Sequence, residues 1–242
     1  MTQETATAAP EDSAEPERRR RRGAAFWVGL ALVLAGLGML GYVAWQFFGT
    51  NIVSRQHQQR VVGELQEQWR VAEAGTIDAR PERLNLGDAS ALIRIPAFGD
   101  DYVVPVLEGI GDAELASGYG HFPDSADPGR RGNYALAAHR VTHGEPLRDM
   151  PELRPGDEVV VETRDAVYSF ELDTDPNDLI VTFEEIWVVD PLPRNPDGGT
   201  EPPSQEPGQR LITLTTCAEL FHTDNRMIAF GHLVSKERKP QA

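Results

Sequence analysis

Basic residues are scarce in this chain of 242 residues. Lys and Arg total 23 against 38 Asp and Glu, which gives a formal net charge of -15. Proteins that bind nucleic acid carry clustered Lys and Arg on the folded surface, whereas the basic cluster here, Arg18 to Arg22, lies near the N-terminus. The composition therefore argues against a nucleic-acid partner.

Cysteine is nearly absent, since Cys217 is the sole cysteine of the chain. An intramolecular disulfide is thereby excluded. Two interpretations of this thiol remain open at this point. It is either a small hydrophobic residue buried in the core or a reactive group. The second interpretation is considered because a free thiol outside the cell is exposed to oxidation and so needs a reason to be there.

Charge is missing altogether from the stretch Ala24 to Trp45, which is long enough to cross a bilayer as a helix. Aromatic residues stand near both of its ends, and five arginines precede it, so the N-terminus is predicted to be cytoplasmic and the rest extracellular. We predict a disordered tail (1–23) and an uncleaved single-pass anchor in the cell membrane (24–48). The alternative is a buried hydrophobic helix beside a basic patch.

A helical stalk is predicted for residues 49–83. Val61, Leu65 and Trp69 recur at intervals of four residues and share one helix face. This apolar stripe packs either on the following domain or on a partner.

The remaining residues, 84–236, are predicted to form one all-β domain. Strand-like segments alternate with turns, and eight short strands favour a barrel or a sandwich. Short helices are expected at 112–117 and 146–150. The predicted strands are 91–96, 102–107, 133–139, 157–163, 167–172, 179–189, 210–217 and 226–234.

A long loop, Pro191 to Gln209, interrupts this pattern with six prolines and three glycines. Loops of this length are usually functional or disordered. It is either a lid or substrate wall beside Cys217, or a linker.

Candidate reactive residues stand at strand ends. Cys217 closes RLITLTTC and Arg226 opens RMIAFGHLV, so antiparallel pairing of these strands would bring the two together. A guanidinium beside a thiol favours the thiolate and stabilises an oxyanion. An inert thiol and an ordinary strand-end charge are the alternatives.

A cysteine nucleophile also needs an acid-base partner. His139 closes the small-residue strand NYALAAH and is our candidate, with His121 and His143 as rivals. His139 and His143 are four residues apart, but Gly144 and Pro146 argue against a helix that would place both rings on one face. We therefore predict no metal site.

The segments ALAAHR, TLTTC and DNRMIAFG, in this order behind an anchor, resemble the sortases over roughly residues 84–234. The words IPAFGDDYVVPVLEG and GDEVVVET are most similar to the class E sortases of actinobacteria. The resemblance implies an eight-stranded sortase-type β-barrel. It also implies cleavage of a Leu-x-x-Thr-Gly sorting signal, with Ala or Pro at its second position, between Thr and Gly. The acyl group then passes through a thioester to an amine of a peptidoglycan precursor.

The resemblance assigns roles to individual residues. Cys217 would be the nucleophile, Arg226 the oxyanion stabiliser, and His139 the proton donor to the leaving amine. Thr215 and Thr216 would line the substrate cleft. The expected partners are surface proteins with a C-terminal sorting signal, a cell-wall precursor amine and the cytoplasmic membrane.

The chain departs from the family at two places. Phe122 stands where the class usually has Tyr, so a hydroxyl contact to the sorting signal is lost, and Ala218-Glu219 follow the cysteine where His-Pro or Asn-Pro is common. No cofactor is implied. Calcium dependence occurs in some relatives, and the sequence contains no definite carboxylate cage. The alternative functions are a catalytically silent membrane-tethered peptide-binding module and a cell-wall cysteine hydrolase.

Overall fold

The computed structural model of the chain describes residues 23–73, 89–203, 206, 208–219 and 224–240. The predicted tail, except for its last residue, and the end of the predicted stalk (74–83) lie outside the described residues. The chain divides into two compact units, Met1–Val43 and Ala44–Ala242, and each is described by itself.

The first unit contains an apolar helix, α1, at Ala24–Ala44. Its mean hydropathy reaches 2.0, and its side chains are exposed. With a rise of about 1.5 Å per residue, a helix of 21 residues is long enough to span a bilayer. It is the one such helix among the described residues.

The second unit is a barrel of eight strands that closes on itself. The ring runs β6-β5-β1-β2-β3-β4-β8-β9, and β9 pairs with β6 to complete it, while β7 pairs with β9 outside the ring. Two of the pairings, β2–β3 and β4–β8, are parallel. The strands are β1 Ala89–Arg94, β2 Val104–Glu108, β3 Tyr119–His121, β4 Gly132–Ala137, β5 Glu158–Thr163, β6 Ala166–Leu172, β7 Ile180–Thr182, β8 Arg210–Cys217 and β9 Asn225–Arg238.

The predicted eight-stranded barrel is thus confirmed, but one of its members was predicted wrongly. The ring includes β3, which has three residues and was not predicted, in place of the segment 179–189. That segment instead forms β7 and a 3₁₀ turn, Ile186–Val189. Its apolar residues cover the outside of the barrel, in a second cluster formed by Leu179, Val181, Val188, Ile228 and Phe230.

Strand β8 is buried on both faces because of this outer layer. Leu214 faces the main core, whereas the Thr213 hydroxyl donates a hydrogen bond of 2.8 Å to Asn133 Oδ1. The Asn133 amide in turn donates to the carbonyl oxygens of Val188 and Asp190, both at 3.1 Å. This buried polar network ties the 3₁₀ turn to β4 and β8 and so fixes one wall of the region where these strands end.

The short helix predicted at 112–117 is confirmed as α3, Asp112–Ser117. The second, predicted at 146–150, is wrong, since that segment consists mainly of turns and is followed by a 3₁₀ turn, Met150–Glu152. Pro151, directly after this segment, opposes a regular helix because it lacks a backbone N–H.

A π-helical turn, Trp45–Gly49, spans the boundary between the predicted anchor and the predicted stalk, and the stalk continues as helix α2, Thr50–Glu73. Leu65 and Trp69 are buried against Leu92 of the barrel. The Lys239 ammonium, after β9, lies 4.4 Å from the centre of the Trp69 ring. The apolar stripe therefore packs on the chain's own domain.

Candidate active site

The parallel pair β4–β8 brings two of the predicted residues to the same end of the barrel. Ala137 is opposite Thr215, and His139 and Cys217 each follow two residues later. The Thr216 hydroxyl donates a hydrogen bond of 2.7 Å to the Ala138 carbonyl, which continues the connection past the end of β4. The backbone before His139 is thus bound to the backbone before Cys217.

The antiparallel pair β8–β9 adds the third residue. Cys217 lies directly opposite Arg226 in the register. Arg226 is half-buried, and its Nη1 donates a hydrogen bond of 3.0 Å to the Asn225 carbonyl. The predicted antiparallel pairing, which places Arg226 opposite Cys217, is therefore present in the structure.

All six site residues named from the sequence line one cavity of about 340 Å³. Cys217, His139 and Arg226 contribute its reactive groups. The other three are Thr215, Thr216 and Phe122. Apolar side chains form most of the remaining wall, among them Ile110, Leu115, Val181, Phe183, Ile186 and Val188.

The environment of His139 disfavours its charged form. Burial, followed by a positive charge on neighbouring His143, lowers the pKa of His139 from its ordinary 6.5 to about 4. Arg226 lowers this pKa as well, whereas the Asp112 carboxylate raises it. At neutral pH the imidazole is therefore uncharged.

The rival His121 has a structural role on β3. It is 2% exposed, its Nδ1 is 2.7 Å from Glu108 Oε2, and its Nε2 is 3.2 Å from the Ala126 carbonyl oxygen. Both ring nitrogens are therefore engaged inside the barrel wall, away from the cavity that Cys217 lines.

The other rival, His143, lies against His139, although the segment between them is not helical, as predicted. The two rings are stacked with centroids 4.7 Å apart and an interplanar angle of 29°. A turn rather than a helix brings them together, since His143 has a φ of 54°. Over the described ranges, no group of three His, Cys, Asp or Glu side chains is arranged to hold a metal ion.

The site also contains residues that the sequence did not point to. Arg140 donates hydrogen bonds to the carbonyl oxygens of Cys217, at 3.5 Å, and of Ala218. These bonds hold the chain at and just after Cys217. The long loop, in contrast, contributes none of its described residues to the cavity lining, so its role as a lid stays a prediction.

A comparison with family models places the site in context. The model described as "Sortase domain" matches residues 93–234, more than half of the chain. The chain belongs to the sortase family. Sortases are cysteine transpeptidases, and the matched residues include His139, Cys217 and Arg226.

Class E sortases are among the similar proteins. Sortase SrtE1 of Streptomyces coelicolor is 33% identical over 237 residues, which are 93% of this chain and 62% of that relative. This sortase thus spans less than two thirds of the length of that relative. A solved structure of sortase E from Streptomyces avermitilis is 36% identical, with a TM-score of 0.55 over 64% of this chain and 96% of that one.

A second solved structure is sortase E1 from Streptomyces coelicolor with a tripeptide in its active site. It is 35% identical and has a TM-score of 0.55 over 64% of this chain and 95% of that chain. This similarity agrees with the class E resemblance of the sequence.

Proposed function

We propose that this sortase is a membrane-anchored transpeptidase that cleaves a Leu-x-x-Thr-Gly type sorting signal between Thr and Gly. The surface protein is then joined to an amine of a cell-wall precursor. The observation that carries the proposal is the convergence of Cys217, His139 and Arg226 on one cavity. The similarity to class E sortases supports it, as does the tripeptide bound in the active site of one relative.

In the proposed acylation, the Cys217 sulfur attacks the threonine carbonyl carbon while neutral His139 accepts the thiol proton. The carbonyl oxygen becomes an oxyanion, which the Arg226 guanidinium stabilises. The intermediate then expels the glycine amine, His139 donates its proton to that amine, and a thioester remains. In the second half, the acceptor amine attacks the thioester, and His139 removes the amine proton and passes it to the departing Cys217 sulfur, which leaves as a thiol.

The shape of the cavity supports a peptide with small or apolar side chains near the scissile bond. Its lining is mostly apolar, so leucine and a small second residue would be desolvated without unpaired polar groups. Phe122 offers a ring and no hydroxyl to the peptide. Recognition at this position would therefore rest on contact area alone, and Ala and Pro would be discriminated by shape.

The proposed layout keeps the predicted segments. Residues 1–23 form a cytoplasmic tail, 24–48 the anchor, 49–83 the stalk and 84–236 the extracellular catalytic domain. The length and apolar character of α1 support the anchor. The five arginines before α1 support the orientation, because basic residues are retained on the cytoplasmic side.

The proposal is tested with the full chain in detergent micelles. Quenched fluorescent peptides carrying Leu-Ala-x-Thr-Gly or Leu-Pro-x-Thr-Gly are supplied with an amine acceptor, with and without calcium. We expect cleavage between Thr and Gly, ligation to the amine, and loss of both in Cys217→Ala. Cleavage without ligation would replace the transpeptidase with a hydrolase, and binding without cleavage would replace it with a peptide-binding module.

A further inference from the structure

The loop after His139 has an unusual backbone. It closes where the Leu147 amide donates a hydrogen bond of 3.0 Å to the His139 carbonyl. Within it, His143, Gly144 and Glu145 have φ values of 54°, 86° and 54°. Residues other than glycine rarely adopt this left-handed conformation, and each costs on the order of 1 kcal/mol. A turn of this kind persists only where its surroundings hold it in place.

Three side chains of α2 hold this turn, although they precede it by 85 to 93 residues. The Asn51 side chain accepts a hydrogen bond of 3.0 Å from the Gly144 amide and donates one of 3.4 Å to the Val141 carbonyl. Gln58 donates a hydrogen bond of 3.1 Å to the His143 carbonyl. Asn51 and Gln58 are only 9% and 5% exposed, so these bonds are shielded from water.

The third side chain, Arg55, binds both the backbone and a carboxylate of the turn. Its Nε donates to the Gly144 carbonyl at 3.2 Å, and its Nη2 lies 3.2 Å from Glu145 Oε2. Positions 51, 55 and 58 share one face of α2 because they are separated by four and three residues. At Gly144 the fit is close, since a Cβ there would lie 2.8 Å from the Gln58 side chain.

The held turn presents the His143 ring to His139. In the described part of the chain, the His139 imidazole has no hydrogen-bond partner, and its ring contact is the stack on His143. Cysteine-histidine pairs usually rely on a third group that orients the histidine through a hydrogen bond. Here the stacked ring occupies the place of that third group.

We propose that α2 is part of the active site, with Asn51 and Gln58 holding the turn at 143–145 so that the His143 ring orients His139. His143, Asn51 and Gln58 are thus positioning residues. This inference rests on the proposed function, in which His139 exchanges protons with Cys217. The titratable and charged groups around the pair are Cys217, Arg226, Asp112, Arg140, Arg55 and Glu145.

The test distinguishes the effect of the His143 ring from the effect of its charge. His143→Phe keeps a stackable ring, whereas His143→Asn removes the ring but tolerates the left-handed backbone. Full-length variants in micelles are assayed for kcat, KM and the pH dependence of kcat/KM. Misplacing a catalytic group by about 1 Å costs up to about 100-fold. We expect His143→Asn to lower kcat about 10-fold or more with KM within about 2-fold, and His143→Phe to restore most of the rate.

The pH profile adds a readout that a purely structural role would not move. Without the His143 ring, His139 loses both burial and a neighbouring charge. The pH at which kcat/KM halves should therefore rise from about 4 towards 6.5 in His143→Asn. A variant with unchanged kcat and an unchanged profile would overturn the proposal, and so would His143→Phe behaving like His143→Asn.

The contact between α2 and the turn at 143–145 is tested by a matched pair of variants on α2. Gln58→Leu removes the bond to the His143 carbonyl, and Gln56→Leu makes the same change at an exposed position two residues away. We expect kcat to fall several-fold only in Gln58→Leu. Thermal melting of both variants accompanies the assay. Equal kcat values in the two variants would overturn the role of Gln58 in holding the turn.

A second assay distinguishes failure of this inference from failure of the proposed function. Cys217 is the sole thiol, so the rate of its alkylation by iodoacetamide at pH 7 reports on proton transfer to His139 without any peptide substrate. We expect faster alkylation in His143→Asn, because a raised pKa of His139 puts more imidazolium beside the sulfur and so favours the reactive thiolate, and a rate near that of the native chain in His143→Phe. If the peptides are not cleaved, this result still decides the positioning role, and equal alkylation rates would reject it.

Discussion

The acid side of the pH profile gives a quantitative test of the environment of His139. At pH 5 a histidine with a pKa of about 4 is about 90% neutral, whereas one with the ordinary value of 6.5 is about 3% neutral. If neutral His139 accepts the thiol proton, kcat/KM at pH 5 should thus remain about 90% of its plateau. With the ordinary pKa it would be about 3% of the plateau, so the two pKa values predict rates that differ by about 30-fold at pH 5.

The assay measures kcat/KM between pH 3.5 and 7.5 with an uncharged fluorescent peptide, because this ratio reports on the free enzyme. Circular dichroism at each pH confirms that the barrel is folded. A decline centred near pH 6.5 in folded protein would refute the reasoning, since it would mean that His139 is neither buried nor influenced by His143 as the structure has it.

The same shift has a consequence for stability. The folded-state pKa of His139 lies below the value of the unfolded chain, so the unfolded chain binds more protons between pH 6.5 and about 4. Stability from this group is fully present above pH 6.5 and is lost as the pH falls to about 4, by at most about 3 kcal/mol.

Two further predictions concern the neighbours of Cys217. Arg226→Gln should lower kcat about 100- to 1,000-fold, the range for loss of an oxyanion donor, with little change in melting temperature because Arg226 is only the second residue of its strand. Thr216→Val should lower the free energy of unfolding by about 1–3 kcal/mol, because the buried carbonyl of Ala138 loses its donor. Steady-state kinetics test the first and chemical denaturation tests the second.

Each of these variants has its control. For Arg226→Gln, a variant that retains wild-type kcat would contradict the assignment of the oxyanion donor. Thr182→Val makes the same substitution as Thr216→Val at an exposed position on β7 and should leave stability within about 0.5 kcal/mol. Equal losses in the two threonine variants would mean that the hydrogen bond to Ala138 contributes nothing specific.

The meeting of the three candidate residues at one cavity could be predicted because each lies at or within two residues of the end of a strand whose pattern is strong. RLITLTTC and NYALAAH are apolar and β-branched or small, so their last residues fall at the edge of the sheet. The motif words then pointed to the family, and the register of Cys217 opposite Arg226 followed from simple antiparallel pairing.

Other features could not be predicted because their signals are short or nonlocal. Strand β3 has three residues and includes Gly120, too few for an alternating pattern. The apolar segment 179–189 has the composition of a barrel strand, yet its residues cover the barrel from outside. The contacts of Asn51 and Gln58 with the turn at 143–145 join residues 85 or more positions apart, and nothing local marks these polar residues as buried.

The parallel pairing of β4 and β8 determines when the active site forms during folding. The two strands are joined by a long crossover, and the hydrogen bond from Thr216 to Ala138 spans 78 residues of chain. Loop-closure entropy makes such nonlocal contacts slow to form. An emerging chain therefore has neither the cavity nor Cys217 near His139 until β8 and β9 join the barrel, so the proposed activity would appear only when folding is complete.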